Sequence, residues 1–311
     1  MLEGRIEFKL IKIVNGQIHW EILPFSGNHF MVLKGETQME VFIKEGQEVV
    51  TLKPSHKSKP KLGPKKKKTI DMDDENKFKR NVDLTGEEHI VVMTINMPID
   101  VIRDENGKWT TNLNNNMMYP ALYSYLQSKY KHFKWVSYFE FPKDTTEKDK
   151  EEIESMLNEK SFFPVYLDPR TYLKFMEYYE KVLYPFFHNF VCPSDNFEFM
   201  ETEYWDAYNY VNKKFAEAAI ECGDSNSLFW VHDMYLLMCP FLIIRKNVNA
   251  NIGLFIHSSF PSGEVYKIFP YREEILASIL CCNIVGFHVF SYARNFIIAC
   301  RRILGISHQT A

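Results

Sequence analysis

Three short apolar runs in the second half of the chain end on groups that exchange protons and hydrogen bonds near neutral pH. SLFWV (227–231) is followed by His232-Asp233, IGLFI (252–256) by His257, and NIVGF (283–287) by His288. After His257 come two serines, a Phe-Pro step and a glycine. A single histidine at such a position is ordinarily a satisfied core or loop residue, but three coincident strand ends point to a site. Imidazoles and a carboxylate do not by themselves name its reaction.

The elements that must position these groups follow from the surrounding pattern. HIVVMTI (89–95), FKWVSYF (133–139) and the three runs above are short and nearly continuous, as in parallel strands covered on both faces. Helical stretches separate them at 116–129, 145–158, 203–222, 236–247 and 271–280. This alternation predicts βαβ units and a doubly wound sheet, whose ligands bind in the crevice beyond the carboxyl ends of the strands.

The N-terminal third has a different texture. Ile6, Phe8 and Leu10 alternate with Glu7, Lys9 and Ile11, and Asn15-Gly16 then precedes a second alternating run, a strong hairpin signal. Further strands are expected at 29–33 and 38–43. KPSHKSKPKLGPKKKK (53–68) holds eight lysines, three prolines and no acid. It reads as a flexible linker over 53–88, with a nuclear-localisation or polyanion-binding role as the alternative. An acidic DMDDE follows it.

Composition sets outer limits. The 311 residues are 46% hydrophobic and 25% charged with a net charge of −3, ordinary globular material. No apolar run reaches the roughly 18 residues of a membrane span, and MLEGRIEFK is no signal peptide. Six cysteines without ligand spacing read as buried thiols in a reducing compartment. The expectation is a cytoplasmic protein with no metal, no cofactor, no membrane and no nucleic-acid partner.

From Leu228 onward, LFWVHDMYLL, IGLFIHSSFPSGE, PYREEIL and GFHVFSYARNF resemble in order the trehalose-6-phosphate synthase family of retaining glycosyltransferases. Upstream, VNKKFAEAAIE, EYWDAY, VLYPFFH and VVMTINMPIDVIRDENGKW continue the resemblance, with His257 lying 24 residues beyond Asp233. The resemblance implies the N-terminal Rossmann-like domain, 89–311, of a two-domain GT-B transferase. Such enzymes move glucose from UDP-glucose to glucose 6-phosphate with retention, and basic groups and helix N-termini rather than a metal carry the diphosphate charge. It further implies that Asp233 binds sugar hydroxyls, that His257 donates to the transferred glucose, and that Pro261 and Ser262 shape the adjoining turn. Ser262 also reads as a helix N-cap.

The chain departs from the family pattern at several of these positions. A phosphate-contacting Arg is replaced by Asn96, and a Gly-Gly loop near the diphosphate by Asn116-Met117. Acceptor-wall tryptophans become Tyr138 and Tyr184, HDYH becomes His232-Asp233-Met234-Tyr235, and His257 is followed by Ser258-Ser259. The family's second Rossmann domain, with its diphosphate-binding cations and ribose-binding acid, is expected to lie beyond this stretch, so the chain alone is not expected to catalyse transfer. Residues 1–52 resemble the later half of a β-sandwich starch-binding domain, in which Trp20 would stack on glucan while Lys9 and Asn28 hydrogen-bond its hydroxyls. Three readings stand: the N-terminal half of an active synthase, an inactive synthase-like protein that binds glucan or sugar phosphate and regulates a partner, and a nucleotide-sugar transferase of other specificity.

Overall fold

The computed structural model describes residues 9–14, 17–22, 50–53, 89–114, 119–190, 201–224 and 226–310. A hairpin of β1 (Lys9–Val14) and β2 (Gln17–Ile22) and the short β3 (Val50–Lys53) precede the main body. That body opens with β4 (His89–Met93) and a second hairpin, β5 (Ile99–Arg103) and β6 (Trp109–Leu113). There follow α1 (Pro120–Lys129), β7 (His132–Tyr138), α2 (Glu147–Glu159), β8 (Phe162–Val165) and α3 (Pro169–Tyr178). A π-helical turn at Tyr179–Leu183 joins α3 to α4 (Tyr184–Phe187). The second half comprises α5 (Thr202–Cys222), β9 (Leu228–His232), α6 (Cys239–Lys246), β10 (Asn251–Ile256) and α7 (Gly263–Tyr266). It closes with α8 (Arg272–Ile279), β11 (Ile284–Phe287), α9 (Phe290–Leu304) and β12 (Ser307–Thr310), the last antiparallel to β3.

Six strands pair in parallel in the order β11-β10-β9-β4-β7-β8. The chain therefore builds outward from β4 to β8, returns, and builds outward again from β9 to β11. This is the 3-2-1-4-5-6 order of a Rossmann sheet, and its switch point lies between β4 and β9. The strands read as continuous apolar runs because both faces are buried. On β4, Val91 and Met93 enter one core while Ile90 and Val92 enter the other.

Local signals explain the helix starts. Thr146 and Asp149 form a reciprocal capping box on α2, and Asp168 caps α3 with Pro169 at its first position. The π turn sits where Pro185 has no N–H to offer Lys181, and the Tyr184 N–H reaches back to the Tyr179 carbonyl.

β1 and β2 pair antiparallel as the sequence predicts, and β1 is hydrogen-bonded antiparallel to β11, extending the sheet to eight strands. The starch-binding resemblance expects these strands in a module of their own, whereas here they continue the α/β sheet. Lys9 lies opposite Phe287 and Ile22, and Trp20 opposite Ile11. Asn28, the strands expected at 29–33 and 38–43, and the Lys-rich stretch beyond Lys53 lie outside the described residues.

Trp135 on β7 is fully buried, and its Nε1–H donates to Thr94 Oγ1 at 2.8 Å. The Thr94 hydroxyl in turn donates to the Asn96 carbonyl at 2.7 Å, fixing the loop that leaves β4. Trp135→Phe keeps most of the packing and removes the first hydrogen bond. We expect it to cost about 1–2 kcal/mol in urea unfolding; an unchanged midpoint would show that this bond does not hold the loop.

Candidate functional site

Each strand of the parallel sheet delivers its next residues to the same carboxyl edge. Thr94–Asn96 follow β4, Asp233 follows β9, His257 follows β10 and His288 follows β11. Asp233 and His257 thus stand beyond neighbouring strands, as the sequence predicts. The crevice of the switch point opens between the ends of β4 and β9.

Asp233 is held there by an unusual backbone. Its φ of 64° and ψ of 178° lie in a region costly for any residue with a Cβ, so the surrounding structure must enforce it. Its N–H donates to the Phe255 carbonyl at 2.7 Å, extending the β9–β10 ladder by one bond. The carboxylate accepts a hydrogen bond from the Ser258 hydroxyl at 3.2 Å. Burial pushes its pKa up, while hydrogen bonds from Met234, Ser258 and His257 act in the other direction.

Tyr208 and Asn212, one turn apart on α5, clamp the bend that follows. The Tyr208 hydroxyl donates to the Met234 carbonyl at 2.8 Å and accepts from the Leu237 N–H at 3.1 Å. Asn212 donates to the Tyr235 carbonyl and accepts from the Met238 N–H at 3.0 Å. Sequence reasoning passed over both residues. The available signal was two polar groups four apart on the buried face of a helix.

The histidines form a row. His232 Nδ1 lies 2.9 Å from His257 Nε2, and the His257 ring centroid is 5.4 Å from that of His288. Tyr119 packs edge-on against the first two, at 5.5 and 5.9 Å. Burial, reinforced by the neighbouring imidazole of His288, pushes the His257 pKa down to about 3. His232 is lowered in the same direction by burial and then by His257, and His288 by burial against an opposing pull from Asp233. All three favour the neutral form. The loop beyond His257 is tied down by Asn295 Nδ2–H donating to the Phe260 carbonyl and by the Ser259 hydroxyl donating to the Phe187 carbonyl.

An open cleft of about 470 Å³ lies between the β5–β6 hairpin and the end of β7. Asn96 and Tyr138 both line it, together with Asp100, Asn114 and Glu140, and among the described residues no lysine or arginine does. The Tyr138 ring stacks on Tyr172 at 3.9 Å, and its hydroxyl donates to Glu140 at 3.1 Å. Tyr184 is exposed and packs on His188 at 4.0 Å. Ser262 occupies the N-cap position of α7, as expected from the sequence. Its side chain makes no capping bond, however; its N–H donates to Asn189 Oδ1 at 2.8 Å. Asn116 and Met117 lie outside the described residues. Among the described residues, no cluster of three or more His, Cys, Asp or Glu side chains is arranged to hold a metal ion, and no helix is long and apolar enough to cross a membrane.

Comparison with known proteins agrees with this fold. The model of glycosyltransferase family 20 matches residues 87–311, the whole α/β body. The chain belongs to glycosyltransferase family 20. Among family members, it is 34% identical over 233 residues to the UDP-forming alpha,alpha-trehalose-phosphate synthase of Schizosaccharomyces pombe, covering 72% of this chain and 44% of that protein. It is 31% identical over 219 residues to the corresponding synthase A of Dictyostelium discoideum, covering 70% of this chain and 28% of the relative. The chain therefore spans less than half the length of these relatives. The N-terminal domain of the Candida albicans trehalose-6-phosphate phosphatase superposes with a TM-score of 0.57 at 28% identity, over 72% of this chain and 44% of that one. An Escherichia coli structure bound with UDP-2-fluoro glucose shares the fold, with a TM-score of 0.50 at 18% identity over 70% and 43% of the two chains.

Proposed function

We propose that this chain forms the first half of a trehalose-6-phosphate synthase, a cytoplasmic enzyme that transfers glucose from UDP-glucose to glucose 6-phosphate with retention. The observation that supports this most is the placing of Asp233 and His257 beyond adjacent strands, next to the switch-point crevice. In this reading the Asp233 carboxylate accepts hydrogen bonds from sugar hydroxyls, and His257 donates one to the transferred glucose. Tyr138 and Tyr184 wall the acceptor side, Ser262 shapes the turn beside it, and Asn116-Met117 approach the diphosphate. Cationic groups of a second Rossmann domain complete the donor site. Residues 1–52, through Lys9, Trp20 and Asn28, add glucan binding.

A second reading, a synthase-like protein that binds sugar phosphate or glucan and regulates a partner without catalysis, is favoured by the cleft at Asn96, which no lysine or arginine among the described residues lines. It also accords with the appearance of this fold in a protein named for a phosphatase. The size of the native polypeptide on a denaturing gel separates the two. A band near the 36.8 kDa of this sequence leaves only the second reading. Sugar contact itself is tested by saturation-transfer NMR with glucose and glucose 6-phosphate. Both are expected to bind weakly, and Asp233→Ala is expected to weaken them by about tenfold, the worth of one hydrogen bond to a charged group. Equal signals from wild type and variant would remove Asp233 from the site.

A further inference from the structure

The pairing of His232 with His257 constrains both rings. They share one hydrogen bond, and the outer nitrogens, His232 Nε2 and His257 Nδ1, are buried without a hydrogen-bond partner among the described residues. Two neutral imidazoles carry two N–H groups between them. One is used in the shared bond, so one outer nitrogen must be a donor and the other a bare lone pair. Burial keeps both rings neutral at pH 7, as described above. The titratable groups packed on them are Tyr119 before α1 and the His288 ring beyond β11, and the Asp233 carboxylate acts on both of those.

The two ends are not equivalent. His232 is 2% exposed, enclosed by Tyr119 and by Trp230, whose ring centroid is 4.8 Å away. A ligand cannot reach its Nε2 without displacing core aromatics. His257 is half-buried at the carboxyl edge beyond β10, so its covered Nδ1 belongs to a residue that solvent already reaches. A buried N–H with no acceptor is the rarer and more costly orphan. Placed on His257 Nδ1, it is relieved when an oxygen arrives; placed on His232 Nε2, it is never relieved.

We propose that His232 is a positioning residue that fixes the tautomer of His257. It donates its Nδ1–H to His257 Nε2, so that His257 carries its own proton on Nδ1 and meets the ligand as a hydrogen-bond donor. No net proton is gained or lost. The acceptor is a hydroxyl or phosphoryl oxygen; that part rests on the proposed function, whereas the tautomer does not.

The test is a long-range proton–nitrogen correlation spectrum of the full chain, 15N-labelled at histidine, without ligand at pH 7.5. Signals are assigned through His232→Asn and His257→Asn. Both rings are expected in the Nδ1–H form. His232→Asn, whose amide N–H replaces the lost donor, is expected to leave His257 in that form. His232→Phe, which offers no donor, is expected to move the His257 proton to Nε2. An Nε2–H His257 in the unsubstituted chain overturns the proposal, as does a His257 tautomer that is unchanged in His232→Phe. If His232→Phe does not fold, the unsubstituted and His232→Asn spectra decide it: an Nε2–H His257 in either one overturns it. Failure of the sugars to bind a chain with the stated tautomers counts against the proposed function alone.

Discussion

Lowering the pH from 7.5 to 4.5 is expected to remove about 3 kcal/mol of folding stability through His257 alone, at ~1.4 kcal/mol per pH unit of displaced titration. The folded-state pKa of this ring is about 3 against 6.5 for the free side chain. Between those values the unfolded chain binds a proton that the folded chain refuses. The stabilising contribution is complete above pH 6.5 and is lost as pH falls toward 3. His232 and His288 are displaced the same way and add to the loss. Asp233 acts oppositely: its raised pKa lets the folded state take up a proton first as the pH falls, returning some stability. Asp149, Asp168, Asp224 and Glu264, all lowered, lose their contributions only as pH falls below the usual carboxylate range. The histidines therefore dominate the interval from 7.5 to 4.5, and the difference between wild type and His257→Asn isolates the share of His257. Urea unfolding followed by circular dichroism measures it, against a total of ~5–15 kcal/mol for a typical domain. His257→Asn should flatten the slope. A wild-type stability constant across the interval would mean that the rings are not buried in the neutral form.

The same strand ends show what the sequence could and could not reveal. IGLFI and SLFWV are legible as buried parallel strands because nothing polar interrupts them, and a strand buried on both faces places its next residue at the carboxyl edge. Asp233 and His257 could thus be put on one edge without coordinates. Their mutual arrangement could not. The left-handed backbone of Asp233 depends on Tyr208 and Asn212, about twenty residues upstream, and two polar groups four apart on a helix do not say which backbone they hold. The β5–β6 hairpin was passed over although its turn carries signals. Asp104 Oδ1 accepts from the Asn106 and Lys108 N–H groups, and Gly107 takes a φ of 79°. The strand at β8 was missed because Pro164 interrupts it, tolerable there because β8 lies at the edge of the sheet. Where β1 and β2 pair was likewise beyond the sequence, since a hairpin signal fixes two strands to each other and says nothing of the sheet they join.

Asn96→Arg is expected to raise the affinity of the chain for glucose 6-phosphate by about tenfold to hundredfold, the range of a charge-assisted hydrogen bond worth ~1.5–3 kcal/mol. Asn96 stands just beyond β4 at the switch point and lines the cleft whose other polar groups include Asp100, Asn114 and Glu140. Such a set accepts hydroxyls well, but its carboxylates repel a phosphate that no cation among the described lining residues neutralises. A guanidinium at this position supplies both the charge and a planar pair of donors that match phosphate oxygens. Asp100 and Glu140 are exposed and compete for it only weakly, because water screens surface pairs to ~1 kcal/mol or less. Glucose separates this effect from a general change in the cleft. It has no phosphate, so its binding should stay within about twofold while that of glucose 6-phosphate rises. The gain should also shrink with added salt, as an electrostatic contact at the surface must. Saturation-transfer titrations of both sugars against wild type and variant measure the ratio. Equal gains for the two would show that the arginine reshapes the wall without reading phosphate. No gain for either would place the phosphate elsewhere and leave the cleft at Asn96 as a site for neutral sugar alone.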